Sequence, residues 1–261
     1  MFKRHMRIST IVIFFILLIS TTSFAQNTIV DVNNLDKGMV SINYNSKSNM
    51  KVYITKGNNK EHYDLKPNAN YPLQFGDGEY TIMILEYVSG NQYKPVATEK
   101  VNLKLKDENQ LYLQSNEMIK WNDNMAAIKK AKELTKGARN DEEKVKAIHD
   151  YITANIKYDD KKASTATTIY TPAIDDTFSS QSGICYDYAV LTAGMLRGVD
   201  IPTKLNMGYK SDIKDYHAWN EVYVNGKWEI IDTTYNAAYV QNNASIEIFK
   251  NAKEYKLEKS Y

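Results

Sequence analysis

The chain has 261 residues, 43% apolar and 25% charged, which is ordinary globular usage. That excludes a disordered chain, a collagen-like fibre and a multi-span membrane protein. With 33 basic and 31 acidic residues the net charge is +2, which leaves no electrostatic footprint for nucleic acid. The single cysteine excludes a disulfide scaffold and any Cys-based zinc or iron–sulfur site, and there are only 4 histidines to serve as bases.

Residues 1–25 read as an export signal. Lys3, Arg4 and Arg7 precede an apolar run from Ile11 to Ile19, and Ser23-Phe24-Ala25 places small residues at the first and third positions before a cut after Ala25. The run is shorter than the ~20 residues a span requires, and Ser20 to Ser23 close it with polar side chains. The expectation is a secreted or cell-surface protein with no membrane span after cleavage. Loss of the three cations takes the net charge from +2 to −1. A lone thiol outside the cell oxidises or crosslinks unless it is buried or has a task, so the surroundings of Cys185 decide its meaning.

From about Thr28 to Leu105 the pattern has period two: Val40, Ile42 and Tyr44, then Val52 and Ile54, then Val101, Leu103 and Leu105 alternate with polar neighbours. Gly57-Asn58-Asn59, Gly76-Asp77-Gly78 and Ser89-Gly90-Asn91 supply turns between the runs. Thr81 to Tyr87, apolar on both faces, reads as a central strand. A small Ig-like β-sandwich over 26–110 is expected, with its seven tyrosines packing on pleated faces.

The period then lengthens. Met125–Leu134 reads as a helix ending near Gly137, and a second starts at Asn140 or Asp141 with Val145, Ile148, Ile152 and Ile156 on one face. Residues 159–182, rich in Ser and Thr, read as a long loop. Tyr188, Ala189, Leu191, Thr192, Met195 and Leu196 give one more helix over Cys185–Arg197, stopped by Arg197, a left-handed Gly198 and Pro202. Cys185 falls in its first turn, where unpaired N–H groups and the macrodipole favour a thiolate and can bind an oxyanion. Gly183 permits close approach of backbone or substrate.

A thiolate nucleophile needs a base. His5 leaves with the signal, His62 reads as surface, and His149 as a half-exposed helix residue. His217 heads a hairpin in which Asn225-Gly226 demands a two-residue type I′ turn. That turn sets Val224 opposite Lys227 and Trp219 opposite Asp232. His217 is then diagonal to Asp232 on one face, ~7–8 Å away at the backbone. Asp232 can hold one imidazole nitrogen and leave the other for sulfur, the nucleophile–base–orienter arrangement. Trp219 is expected to wall the cleft and Glu221 to pair with a nearby donor. Asp159-Asp160 and Asp175-Asp176 read as solvated loop charges, and no metal or cofactor is expected.

SGICYDYAVLTAGMLRGVDIP, DYHAWNEVYVNGKWEIIDTTYN and the preceding VKAIHDYITANIKYD resemble the bacterial transglutaminase-like superfamily over about 125–235. Gly-x-Cys, His-Ala-Trp and Ile-Asp-Thr occur in that family's order. The resemblance implies an α+β fold, a papain-like transglutaminase core over 120–261 behind the β-sandwich. It also implies Cys185 as nucleophile, His217 as base and Asp232 as orienting acid, with Tyr158 and Gln181 as candidates for the second oxyanion donor. The implied activity is acyl transfer through a thioester, either hydrolytic or crosslinking, on an extracellular protein or peptide, with the cell wall as one location. The competing reading is a surface-binding module on a degenerate scaffold.

Overall fold

The computed structural model describes residues 29–261 except 45, 47, 91 and 166–169, so the export signal lies outside the described residues. The β-rich region holds two sheets. The first, in the order β1 (Val30–Asp31), β2 (Met39–Ile42), β5 (Asn70–Pro72), is antiparallel. The second runs β4 (Asn59–Asp64), β3 (Met50–Lys56), β6 (Gly78–Ser89), β7 (Gln92–Leu103). β6 is an inner strand, as its composition predicts, but it buries alternate residues: Tyr80, Ile82 and Ile84 are in the core. These join Val40, Val52, Ile54, Tyr71 and Leu103 in one apolar cluster, so the two-residue period has a direct physical use. Of the seven tyrosines, Tyr63, Tyr71 and Tyr80 are buried, and the Tyr80 hydroxyl donates to the Leu73 and Gly76 carbonyls.

The second region is α+β. Helices α1 (Ala126–Leu134), α2 (Asp141–Asn155), α3 (Asp160–Thr165), α4 (Ile174–Ser180), α5 (Cys185–Arg197) and α6 (Thr233–Val240) pack with a five-stranded antiparallel sheet. Its order is β13 (Phe249–Lys250), β12 (Lys227–Ile231), β11 (His217–Val224), β10 (Thr203–Lys210), β14 (Tyr255–Ser260). Between α2 and α5, β8 (Lys157–Tyr158) pairs in parallel with β9 (Ser182–Gly183). Asn140 caps α2 by accepting from the Glu143 N–H, and Asp141, Glu142 and Glu143 complement the dipole there.

Helix α5 is the centre of this region, with every residue from Asp187 to Arg197 buried. Asn220 of β11 donates to the Ala189 carbonyl, and Thr192 meets Thr233 at 3.0 Å, which ties α5 to the sheet and to α6. Arg197 is 1% exposed and donates to the carbonyls of Gln114, Thr203 and Tyr261, joining the segment before α1, the sheet and the C-terminal residue. Burial lowers its guanidinium to about 9.

Four sequence expectations need correction. Residues 159–182 are not one long loop, because α3 and α4 lie within them. Gly198 is right-handed (φ −68°), and the left-handed residue after the helix is Asp200 at 65°. His149 is buried, not half-exposed, at 2%. Asp175 is not a free loop charge: its carboxylate accepts from the N–H groups of Ala126 and Ala127 and so caps α1.

Candidate active site

Cys185 is the first residue of α5 and is half-buried. Its own N–H and those of Tyr186 and Asp187 belong to the first turn, which offers no intrahelical acceptor. Asp187, the third residue, folds back and accepts from the Ile184 N–H at 2.8 Å. An added Cβ at Gly183 would stand 2.5 Å from the Asp187 Cβ. The glycine therefore serves the helix's own acidic cap, a different reason from the substrate approach expected of it. Asp187 is 1% exposed and also meets Lys162 Nζ at 2.9 Å and the Tyr170 hydroxyl, so two residues from within 159–182 are fastened to the cysteine helix.

The hairpin has the register its turn demands. Val224 pairs with Lys227 and Asn220 with Ile231, with Asn225 and Gly226 at φ 52° and 79°. One step further, Asp232 leaves the strand to become the N-cap of α6, and its Oδ1 accepts from the Tyr235 N–H at 3.0 Å. Its Oδ2 lies 2.7 Å from His217 Nε2. Nδ1 of the imidazole is thereby left free of Asp232, and the ring lines one cavity with Cys185. His217 is 4% exposed and Asp232 fully buried. Burial opposes charge on the imidazole, but Asp232 and then the neighbouring Cys185 outweigh it and raise His217 to about 10.

The other expected residues separate. Tyr158 lines the same cavity as Cys185 and His217, because the β8–β9 bridge sets it beside Gly183, two residues from the sulfur. Burial and then the neighbouring Cys185 raise its hydroxyl, which keeps it a neutral donor. Gln181 is exposed at the left-handed end of α4, with φ 52°, outside that cavity; its carbonyl accepts from the Lys157 N–H. Trp219 is 1% exposed and stacks at 6.3 Å on His217, so it backs the ring from within the core and does not face the cavity. Glu221 pairs with Lys204 at 3.1 Å. His62 is on the surface.

Tyr255 is absent from the sequence reading. Its hydroxyl donates to Asp232 Oδ2 at 3.0 Å and its ring packs 5.0 Å from Trp219. No local pattern marks it, because β14 reaches the site only by pairing with β10. The Asp187 cap did carry a local signal, an acid three positions after the N-cap. Among the described residues no group of His, Cys, Asp and Glu could hold a metal ion.

A buried carboxylate, an imidazole and a thiol at a helix start define the geometry of a cysteine enzyme. Residues 128–233, less than half of the chain, match the Transglutaminase-like superfamily, so this segment is similar to that superfamily of cysteine enzymes. Kyphoscoliosis peptidase of Mus musculus is 28% identical over 124 residues, 43% of this chain and 18% of the peptidase. The chain thus spans less than a fifth of that relative's length. Among solved structures, a candidate cysteine protease from Cytophaga hutchinsonii aligns with TM-score 0.43 and 19% identity, over 82% of this chain and 81% of that one. Red sea bream transglutaminase aligns with TM-score 0.32 and 13% identity, over 75% and 48%.

Proposed function

We propose that this protein is an exported cysteine acyltransferase or hydrolase acting on peptide or carboxamide bonds of extracellular proteins or peptides. The supporting observation is the meeting of Cys185 and His217 in one cavity, with His217 held by Asp232 at 2.7 Å. The sulfur, as thiolate, adds to the carbonyl carbon. The oxyanion faces the Cys185 N–H, with the Tyr158 hydroxyl as the candidate second donor. His217 Nδ1 gives its proton to the leaving nitrogen as the C–N bond breaks, and an acyl-thioester remains. Water or an amine then attacks that thioester and His217 takes the proton back, which restores the ion pair. Water yields hydrolysis and a lysine amine yields a crosslink.

The test is mass spectrometry of the mature protein incubated with surface peptides, with and without a fluorescent primary amine. An acyl adduct on Cys185, absent in His217→Ala, is the expected result. Transfer to the amine marks a crosslinker, and free acid marks a hydrolase. An iodoacetamide labelling rate at pH 6 that is unchanged by His217→Ala, with no adduct, would favour the surface-binding module. Residues 1–25 support export; sequencing of the secreted product should begin at Gln26.

A further inference from the structure

The cavity of about 280 Å³ beside Cys185 extends away from the sulfur along α6. Ile213, Ala237, Ala238, Tyr235 and Tyr239 form that extension, and no Lys, Arg, Asp or Glu lines any part of the cavity. The two tyrosine hydroxyls are already engaged. Tyr235 donates to Asp212 at 2.8 Å and lies 3.1 Å from the Tyr239 oxygen, while Asp212 is neutralised by Lys210 at 2.5 Å. The rings and methyl groups are therefore left as the wall. A second observation concerns exposure. Nine large apolar or aromatic side chains are strongly exposed among the described residues, and two of them, Tyr158 and Tyr239, belong to this cavity. A further exposed pair, Tyr216 and Tyr209, packs together at 5.4 Å, with Tyr216 immediately before His217 in the chain. Apolar exposure concentrated at one place marks a binding surface.

We infer that this recess along α6 is a side-chain subsite, selecting peptides that carry an aromatic or large aliphatic residue next to the reacting carbonyl. This rests on the acyl-transfer reading above and names the substrate class for it. A charged side chain entering the recess loses water and finds no Lys, Arg, Asp or Glu in its lining. An apolar one gains by leaving water. The volume is below the ~300–1,000 Å³ of a whole small-molecule site and suits one or two side chains.

Peptidyl chloromethyl ketones test the inference without requiring turnover. The sulfur displaces chloride and forms a thioether, whatever the natural acceptor is. The mature protein is treated with acetyl-Ala-Xaa-chloromethyl ketones in which Xaa is Phe, Leu, Gly, Asp or Lys, and with iodoacetamide as a reference lacking a side chain. Phe and Leu reagents should label Cys185 at least about tenfold faster than Asp or Lys reagents, the range a pocket of this kind supplies. Ala238→Lys, at an exposed position of α6 where lysine is a good helix former, should raise the Asp-to-Phe rate ratio at least about tenfold. A flat series, or a wild-type preference for Asp or Lys with His217-dependent iodoacetamide labelling intact, overturns the subsite and leaves the acyl-transfer reading standing. Loss of His217 dependence for iodoacetamide overturns both.

Discussion

Two histidines, both nearly inaccessible, carry opposite charges of meaning in neighbouring seams of this protein. His217, between α5 and β11, is raised to about 10. His149, between α2 and α6, is lowered, because burial outweighs the help of Asp150. Both rings touch a carboxylate: His217 Nε2 to Asp232 at 2.7 Å and His149 Nδ1 to Asp150 at 3.0 Å. The carboxylates differ. Asp232 is fully buried and its other side-chain donor is the neutral Tyr255 hydroxyl, whereas Asp150 is half in water and shared with Lys146 at 2.5 Å. The second nitrogen differs too: His149 Nε2 accepts from the Asn236 amide at 2.8 Å, which fixes a neutral ring, while His217 lines a cavity with the Cys185 thiol. Burial of a histidine does not decide its charge. The solvation and sharing of its carboxylate do.

Asp232→Asn attacks the comparison at its root and carries the largest expected effect. It removes the charge that holds His217 up, so turnover of a peptide substrate should fall ~10³–10⁴-fold. The alkaline limb of kcat/KM, expected near pH 10 in the wild type, should move toward neutrality. An unmoved limb would show that His217 does not set it.

Stability against pH probes both histidines at once. Folded His217 keeps its proton to about pH 10, while the unfolded ring releases it near 6.5. Its contribution is therefore complete below about 6.5 and is lost as pH rises toward 10. Folded His149 is lowered, so the unfolded ring takes up a proton first; its contribution is complete above about 6.5 and is lost as pH falls from that value through the lower folded one. Urea unfolding from pH 5 to 10 should show both losses, the alkaline one being the larger and absent in His217→Gln.

His149→Gln should flatten the acid side alone, at a cost of about 1–3 kcal/mol for the disturbed buried amide, with the alkaline limb of activity unchanged. Tyr255→Phe sharpens the contrast most gently. With one donor fewer, Asp232 holds the imidazolium more firmly, so the alkaline limb should rise by less than about one pH unit while kcat changes only a few-fold. A downward shift would remove Tyr255 from the account.

Much of this arrangement was readable along the chain because its determinants are local. The bounds of α5 follow from a one-sided apolar pattern and its stop residues. The pairing of β11 with β12 follows from Asn225-Gly226, whose positive φ values only one hairpin geometry uses. Tyr158 was nameable from its motif, but not its place beside the sulfur, which depends on a two-residue parallel bridge. Residues 159–182 misled because short helices anchored from a distance leave no period: Asp175 of α4 accepts from the first N–H groups of α1, and Lys162 of α3 is held by Asp187.

Sequence alone determined which thiol, imidazole and carboxylate could act together, since one cysteine and one hairpin left little choice. Tertiary structure alone decided the charge of each histidine, the approach of Tyr255 from β14 and the apolar wall offered by α6. The reason is one of range. Turn geometry and helix periodicity are written within a few neighbouring residues, whereas desolvation and the sharing of a buried carboxylate depend on what distant segments bring to the same few ångströms.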